Sequence, residues 1–196
     1  MKPYSEASEQ NKEPILNVLR EVFRAPGAVL EIGSGTGQHA VYFGRHLSHL
    51  VWQPSDLPEC LDGIRLWLDE AGLANVRAPL ALDVSGDAWP ATAADGVFSA
   101  NTAHIMPWSA VEKMFAGVGR VLKQGGYLCL YGPFNYNGAY TSDSNARFDA
   151  WLKARDPLSG IRHFEDLDAL ARAQDLRLVH DYAMPVNNRT LVWEKI

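Results

Sequence analysis

The stretch Val29-Leu30-Glu31-Ile32-Gly33-Ser34-Gly35-Thr36-Gly37-Gln38-His39 decides how this sequence is read. Ala28 to Ile32 is a short apolar run, the glycines interrupt it, and Gln38 to Leu47 resumes apolar residues at helical spacing, which predicts strand, loop and helix. Glycine allows a sharp turn and a closer approach of backbone to ligand than a Cβ permits. Ligands of open α/β sheets sit at the carboxyl ends of strands. The loop is expected to bind a ligand, the alternative being a structural turn that holds none.

The ligand class follows from the flanking residues. A dinucleotide fingerprint wants a small residue three positions beyond its second glycine, and here Gln38 stands there. Glu31 lies two residues before the pattern G-x-G-x-G; a carboxylate there repels a pyrophosphate but suits an amino acid moiety and a sulfonium, both partly cationic. No Gly-Lys-Ser/Thr follows, so the Walker loop is absent. These features disfavour a dinucleotide oxidoreductase.

Outward from this segment, strands and helices alternate. Ile15, Val18, Leu19, Val22 and Phe23 predict an amphipathic N-terminal helix, with Pro14 in its first turn and Pro26-Gly27 as its stop. Leu50 to Gln53 reads as a second strand closed by Pro54, and Leu61 to Ala71 as a helix ended by Gly72. Leu80 to Leu82, Gly96 to Ala100 and Tyr127 to Tyr131 read as further strands, with a helix over Val111 to Leu122. Residues 132–145 are rich in Gly, Asn, Tyr and Ser and predict a long loop over the site. Helices near Ala146 to Ala154 and Phe164 to Ala173 precede Leu176 to Met184 and Thr190 to Lys195, which look like an antiparallel hairpin. The expected fold is α/β and Rossmann-like, a mostly parallel seven-stranded sheet with helices on both faces and an antiparallel C-terminal hairpin. The expected organisation is one domain over residues 1–196, with 1–26 as its N-terminal cap.

Composition narrows the function classes. The chain has 196 residues with 47% hydrophobic and 21% charged, which argues against disorder. A formal net charge of -5 lacks the basic excess that nucleic-acid binding requires. No signal peptide or membrane-length apolar stretch is visible, so a cytoplasmic protein is expected, with Cys60 and Cys129 as free thiols and no metal site.

Leu30-Glu31-Ile32-Gly33-Ser34-Gly35-Thr36-Gly37 resembles motif I of class I S-adenosylmethionine-dependent methyltransferases. Gln10-Asn11-Lys12-Glu13-Pro14-Ile15-Leu16, Trp52-Gln53-Pro54-Ser55-Asp56 and Asn101-Thr102-Ala103-His104-Ile105 extend the similarity, over nearly the whole chain, to the methyltransferase-like protein 26 family. The resemblance implies S-adenosylmethionine as cofactor and methyl transfer to a small-molecule acceptor. Asn11, Glu31, Gly33, Ser34, Gly35, Gly37, Asp56, Asp83 and Asn101 are then expected to hold the cofactor. Glu31 and the glycine loop would face its methionine part, Asp56 the ribose, Asp83 the adenine amine and Asn101 the methyl group. Gln53 occupies the strand end where the ribose acid usually stands, which leaves Asp56 open between ribose binding and a cap or loop acid; Asp83 is open in the same way.

Asn101 and His104 are the candidate catalytic pair. Imidazole titrates near neutrality and suits a general base for an oxygen or nitrogen nucleophile, the alternative being a packed histidine that orients the loop. His39 is expected to pack the loop and His163 to lie at the surface. Tyr131, Phe134, Asn135, Tyr136, Asn137 and Tyr140 either line a substrate pocket or form a lid. A SAM-binding protein without turnover is the competing function.

Overall fold

The computed structural model describes residues 2–90 and 93–196. Helix α1 (Glu6–Val22) is followed by β1 (Gly27–Ile32), α2 (Gln38–His46), β2 (Leu50–Asp56), α3 (Leu61–Ala71), β3 (Leu80–Ala81) and β4 (Ala94–Ala100). Then come α4 (Trp108–Val121), β5 (Leu122–Gly132), β6 (Phe134–Asn135), α5 (Asp143–Arg155), β7 (Arg162–His163), α6 (Phe164–Arg172), β8 (Leu176–Ala183) and β9 (Arg189–Lys195). Seven strands form one sheet in the order β3-β2-β1-β4-β5-β9-β8, parallel except for β9, which pairs antiparallel with both neighbours. This is the expected sheet, hairpin included.

Period-two alternation along the strands divides the core into two faces. Leu30, Ile32, Val97, Leu128 and Leu130 face α4 and α6, where Val111, Met114, Phe115 and Leu167 cover them. Val29, Trp52, Phe98 and Cys129 face the other way, against Ile15, Leu19 and Phe43 of α1 and α2. The strand order reverses at β1 and β4, and their carboxyl ends open the crevice in which ligands of such sheets bind.

Several expected boundaries move; β5, for one, begins at Leu122 rather than Tyr127. Helix α1 starts at Glu6, where the Ser5 hydroxyl accepts from the Ser8 amide, so Pro14 sits inside the helix rather than in its first turn. Strand β2 runs through Pro54 to Asp56. Ser55 pairs toward β1, which turns the missing Pro54 N–H toward the outer side, where Gln53 Nε2 donates to the Pro54 and Ala78 carbonyls. Residues 132–145 are not a free loop, because Phe134 and Asn135 pair with Arg162 and His163 in a small parallel sheet.

Candidate functional site

The loop after β1 is held by its own amides. Gly33 and Ser34 both donate to the Ser55 carbonyl at 3.0 Å, and Gly37 donates to Ser34 O at 2.9 Å. Gly35 N donates to Asp56 Oδ2 at 2.6 Å. Four loop N–H groups are thus used internally, and a pyrophosphate would meet a carboxylate where it needs a donor. All three glycines have positive φ, yet each answers a different demand. A Cβ on Gly33 would lie 2.4 Å from Thr102 Cγ2, and one on Gly37 would lie 3.1 Å from Ile64 Cα. One on Gly35 would meet nothing within 4 Å, because that residue faces open space.

Glu31 is buried beneath this loop, and its side chain is not part of the cavity wall. Its Oε2 accepts from Ser34 Oγ at 2.9 Å and from Trp52 Nε1 at 3.0 Å. Burial, only partly offset by these two donors, raises its pKa from 4.5 to about 7. Glu31 therefore supports the loop from below through Ser34, which does reach the wall. Gly37 also stands off the wall, packed on α3. Both positions lie one layer behind the wall that Gly33, Ser34 and Gly35 form.

The other residues expected at the cofactor meet around one cavity: Asn11, Gly33, Ser34, Gly35, Asp56, Asp83 and Asn101 all line it. Asp56 also accepts Leu57 N on Oδ1 at 2.7 Å, so it caps a turn and lines the wall at once. Asp83 accepts Ser85 N at 2.8 Å and does the same. Asn101 adopts φ 59° and donates its amide to Tyr131 O at 2.9 Å, turning the chain out of β4. Asn11 is anchored by His39 Nε2, 2.7 Å from its Oδ1. His39 is buried and stacked on Phe43, and desolvation lowers its pKa to about 4, so it stays neutral and ties α1 to α2.

His104 is buried, edge-on to Phe148 with ring centroids 5.4 Å apart, and it lines the same cavity as Asn101. Desolvation first, and the Arg162 charge second, lower its pKa to about 4. A neutral imidazole results, able to accept a hydrogen bond at pH 7 but weak as a base. Its loop is fixed by a segment distant in sequence. The successive carbonyls of Ala103, His104, Ile105 and Met106 accept from Arg162 Nε (2.9 Å), Gly160 N (2.9 Å), Ser159 Oγ (2.7 Å) and an Arg162 terminal N–H. Sequence reasoning did not find Ser159 or Arg162, since neither belongs to a motif.

The cavity holds about 1190 Å³, above the roughly 300–1,000 Å³ usual for one small ligand. Beyond the glycine loop its wall comes from α5, through Asn145, Phe148, Trp151, Leu152 and Arg155. The aromatic and amide cluster of residues 131–140 contributes only Tyr131. Phe134 is core, Tyr136 stacks on Phe164 and donates to Asp181 at 2.9 Å, and Tyr140 donates to Asp149 at 2.7 Å. Their hydroxyls anchor the segment to the body of the protein, and of the two readings left open, pocket lining or lid, the first holds for Tyr131 alone. His163 is half-buried at the start of α6, off this cavity.

A sequence profile of the family described as "Protein of unknown function (DUF938)" matches residues 2–195. The chain belongs to that family. Solved structures share the fold of this DUF938 chain. An O-methyltransferase family protein from Burkholderia thailandensis aligns at TM-score 0.85 and 18% identity, over 97% of this chain and 57% of its own. The S-adenosylmethionine-dependent methyltransferase SibL aligns at 0.81 and 22%, over 96% and 55%. Human N-acetylserotonin methyltransferase, solved in complex with SAM, aligns at 0.80 and 14%, over 97% and 53%. The chain spans little more than half the length of these proteins. Among the described residues no helix is long and apolar enough to cross a membrane.

Proposed function

We propose that this DUF938 protein is an S-adenosylmethionine-dependent methyltransferase with a small-molecule acceptor, built as one domain and working in the cytoplasm. The observation that carries the reading is the Gly33–Gly37 loop, whose Gly35 amide is given to Asp56 and whose floor is the Glu31 carboxylate. Such a site lacks the donors of a pyrophosphate cradle and offers the Asp56 and Asp83 carboxylates, both on the wall, to a partly cationic ligand. The residues present fit the cofactor: Gly35 leaves open space where a side chain would stand, and Asn11, Ser34, Asp56, Asp83 and Asn101 surround it with polar groups. The methyltransferase-like protein 26 family remains the finer affiliation we propose, on the three segments quoted from the sequence.

The cofactor, when bound, supplies a methyl carbon on a sulfonium that an acceptor lone pair displaces in line, the bonding pair returning to sulfur. The chain's task is alignment and exclusion of water. Asn101, held in its left-handed turn by Tyr131 O, and His104, held by the Ser159-to-Arg162 segment, keep fixed positions at the cavity wall. Neutral His104 can accept the acceptor's proton in a hydrogen bond, which orients a hydroxyl without requiring a strong base.

Calorimetric titration of the purified chain, stripped of endogenous ligand, tests the reading. Saturable binding of S-adenosylmethionine and S-adenosylhomocysteine, with none of NAD, is the expected result. Binding of NAD alone would overturn the cofactor assignment. Cofactor binding without methyl transfer to any acceptor in a lysate would favour the non-catalytic alternative.

A further inference from the structure

The part of the cavity farthest from the glycine loop has a distinct chemistry. Residues 144, 145, 148, 151, 152 and 155 of α5 line it, which is one face of a helix at spacings of three and four. That face carries a row of planar groups. His104 lies edge-on to Phe148, Phe148 stacks on Trp151 with centroids 5.8 Å apart and planes 17° from parallel, and the Arg155 guanidinium lies 4.7 Å from the Trp151 centroid. Trp151 keeps 51% of its surface exposed, and Ile105 and Val186, also on the wall, keep 57% and 78%. Leaving this apolar area in water is unfavourable at roughly 25 cal/mol per Å², so a ligand that covers it gains.

One cation stands on this wall. Arg155 is the one Lys or Arg among the described lining residues, and the described residues give it no ion pair, whereas Lys153 on the same helix pairs with Asp149 at 2.6 Å. Asp156, also on the wall, accepts Leu158 N on Oδ1 at 2.9 Å. From Phe148 to Arg155 is seven residues, a rise of about 10 Å along the helix.

We propose that the α5 end of the cavity binds a flat, apolar acceptor with a hydroxyl at one end and a carboxylate-like anion at the other, an extended aromatic hydroxy acid in chemical class. Its rings lie along Phe148 and Trp151, its anion pairs with Arg155 and its hydroxyl reaches His104. This rests on the methyltransferase reading for the word acceptor, but the binding site itself stands on the α5 wall. The bond from hydroxyl to the neutral imidazole orients the oxygen.

The test uses the full chain in the presence of saturating S-adenosylhomocysteine, titrated with a hydroxybiphenyl carboxylate and with the neutral hydroxybiphenyl that lacks the carboxylate. The acid is expected to bind about tenfold more tightly. Arg155→Gln, an exposed position whose unfolding midpoint should not move, is expected to remove that preference while leaving the neutral compound's affinity unchanged. Trp151→Ala should weaken both. Equal affinities in the wild-type chain, a preference that survives Arg155→Gln, or no binding of the acid to a chain that binds S-adenosylhomocysteine would each overturn the proposal. Failure of S-adenosylhomocysteine to bind would instead remove the cofactor reading, and the same pair titrated alone would still decide the α5 site.

Discussion

Arg162 donates from Nε to the carbonyl of Ala103 at 2.9 Å, and the same guanidinium bonds the carbonyls of Met106 and Leu158. A planar fork whose donors satisfy carbonyls in two segments fixes the position of His104 without touching its ring. It also keeps a positive charge near the imidazole, which helps hold it neutral. Arg162→Ala is therefore expected to leave half-buried carbonyls unpaired and to destabilise the fold by about 2 kcal/mol. The His104 ring, relieved of that charge, should titrate higher than in the wild type. Urea unfolding and an NMR titration of the histidine ring check the two parts, and an unmoved ring titration would show that desolvation alone sets it.

Glu31 gives stability a pH dependence of definite sign. Its folded pKa of about 7 exceeds the ordinary 4.5, so between those values the folded state binds the proton and the unfolded state does not. Stability is expected to fall as pH rises from about 4.5 to 7, by about 3 kcal/mol from this group, and to be flat in this respect for Glu31→Gln. Unfolding free energies measured across that range in both proteins decide it.

The same residue couples to ligand uptake. A cation bound above Ser34 favours the ionised carboxylate, so S-adenosylmethionine binding near pH 6 is expected to release protons. Calorimetry repeated in buffers of different ionisation enthalpy reads that release directly. Glu31→Gln should abolish it, and an identical signal in the variant would place the proton elsewhere.

Two loop glycines should fail differently. Gly33→Ala combines φ +72° with a contact of 2.4 Å to Thr102, and is expected to cost about 2–4 kcal/mol of stability. Gly35→Ala meets no atom and carries only the cost of its positive φ, about 1 kcal/mol, while its methyl points into open space beside the cavity wall. Cofactor affinity should drop in a Gly35→Ala chain that still folds. Thermal unfolding and calorimetry on both variants separate the effects, and full affinity in Gly35→Ala would remove that glycine from the site.

Val186 lines the cavity in a left-handed conformation, φ 59° and ψ 37°, that a β-branched residue rarely adopts. Val186→Gly should relieve that strain and raise stability by up to about 1 kcal/mol, as a higher unfolding midpoint. If affinity for an apolar acceptor falls in the same variant, the strain is being retained for the exposed isopropyl group.

The sequence by itself determined the alternation of strands and helices, the antiparallel hairpin, and the glycine loop between β1 and α2. Each of these is written in neighbouring residues: apolar runs of period two or of three and four, and glycines where the backbone must take positive φ. Only the tertiary structure decided what the site residues touch. Glu31 reads in sequence as facing a ligand, but that Trp52, 21 positions away, donates to its buried carboxyl is written nowhere near it. Residues 131–140 read as either a pocket wall or a lid; Asp149 and Asp181 tie down the Tyr140 and Tyr136 hydroxyls, and α5 supplies much of the wall. His104 reads as either a base near neutrality or a packed histidine; burial and Arg162, 58 positions on, leave it neutral and weak. Desolvation and long-range hydrogen bonding set these outcomes, and both depend on which segments the fold brings together, a quantity that no local pattern along the chain contains.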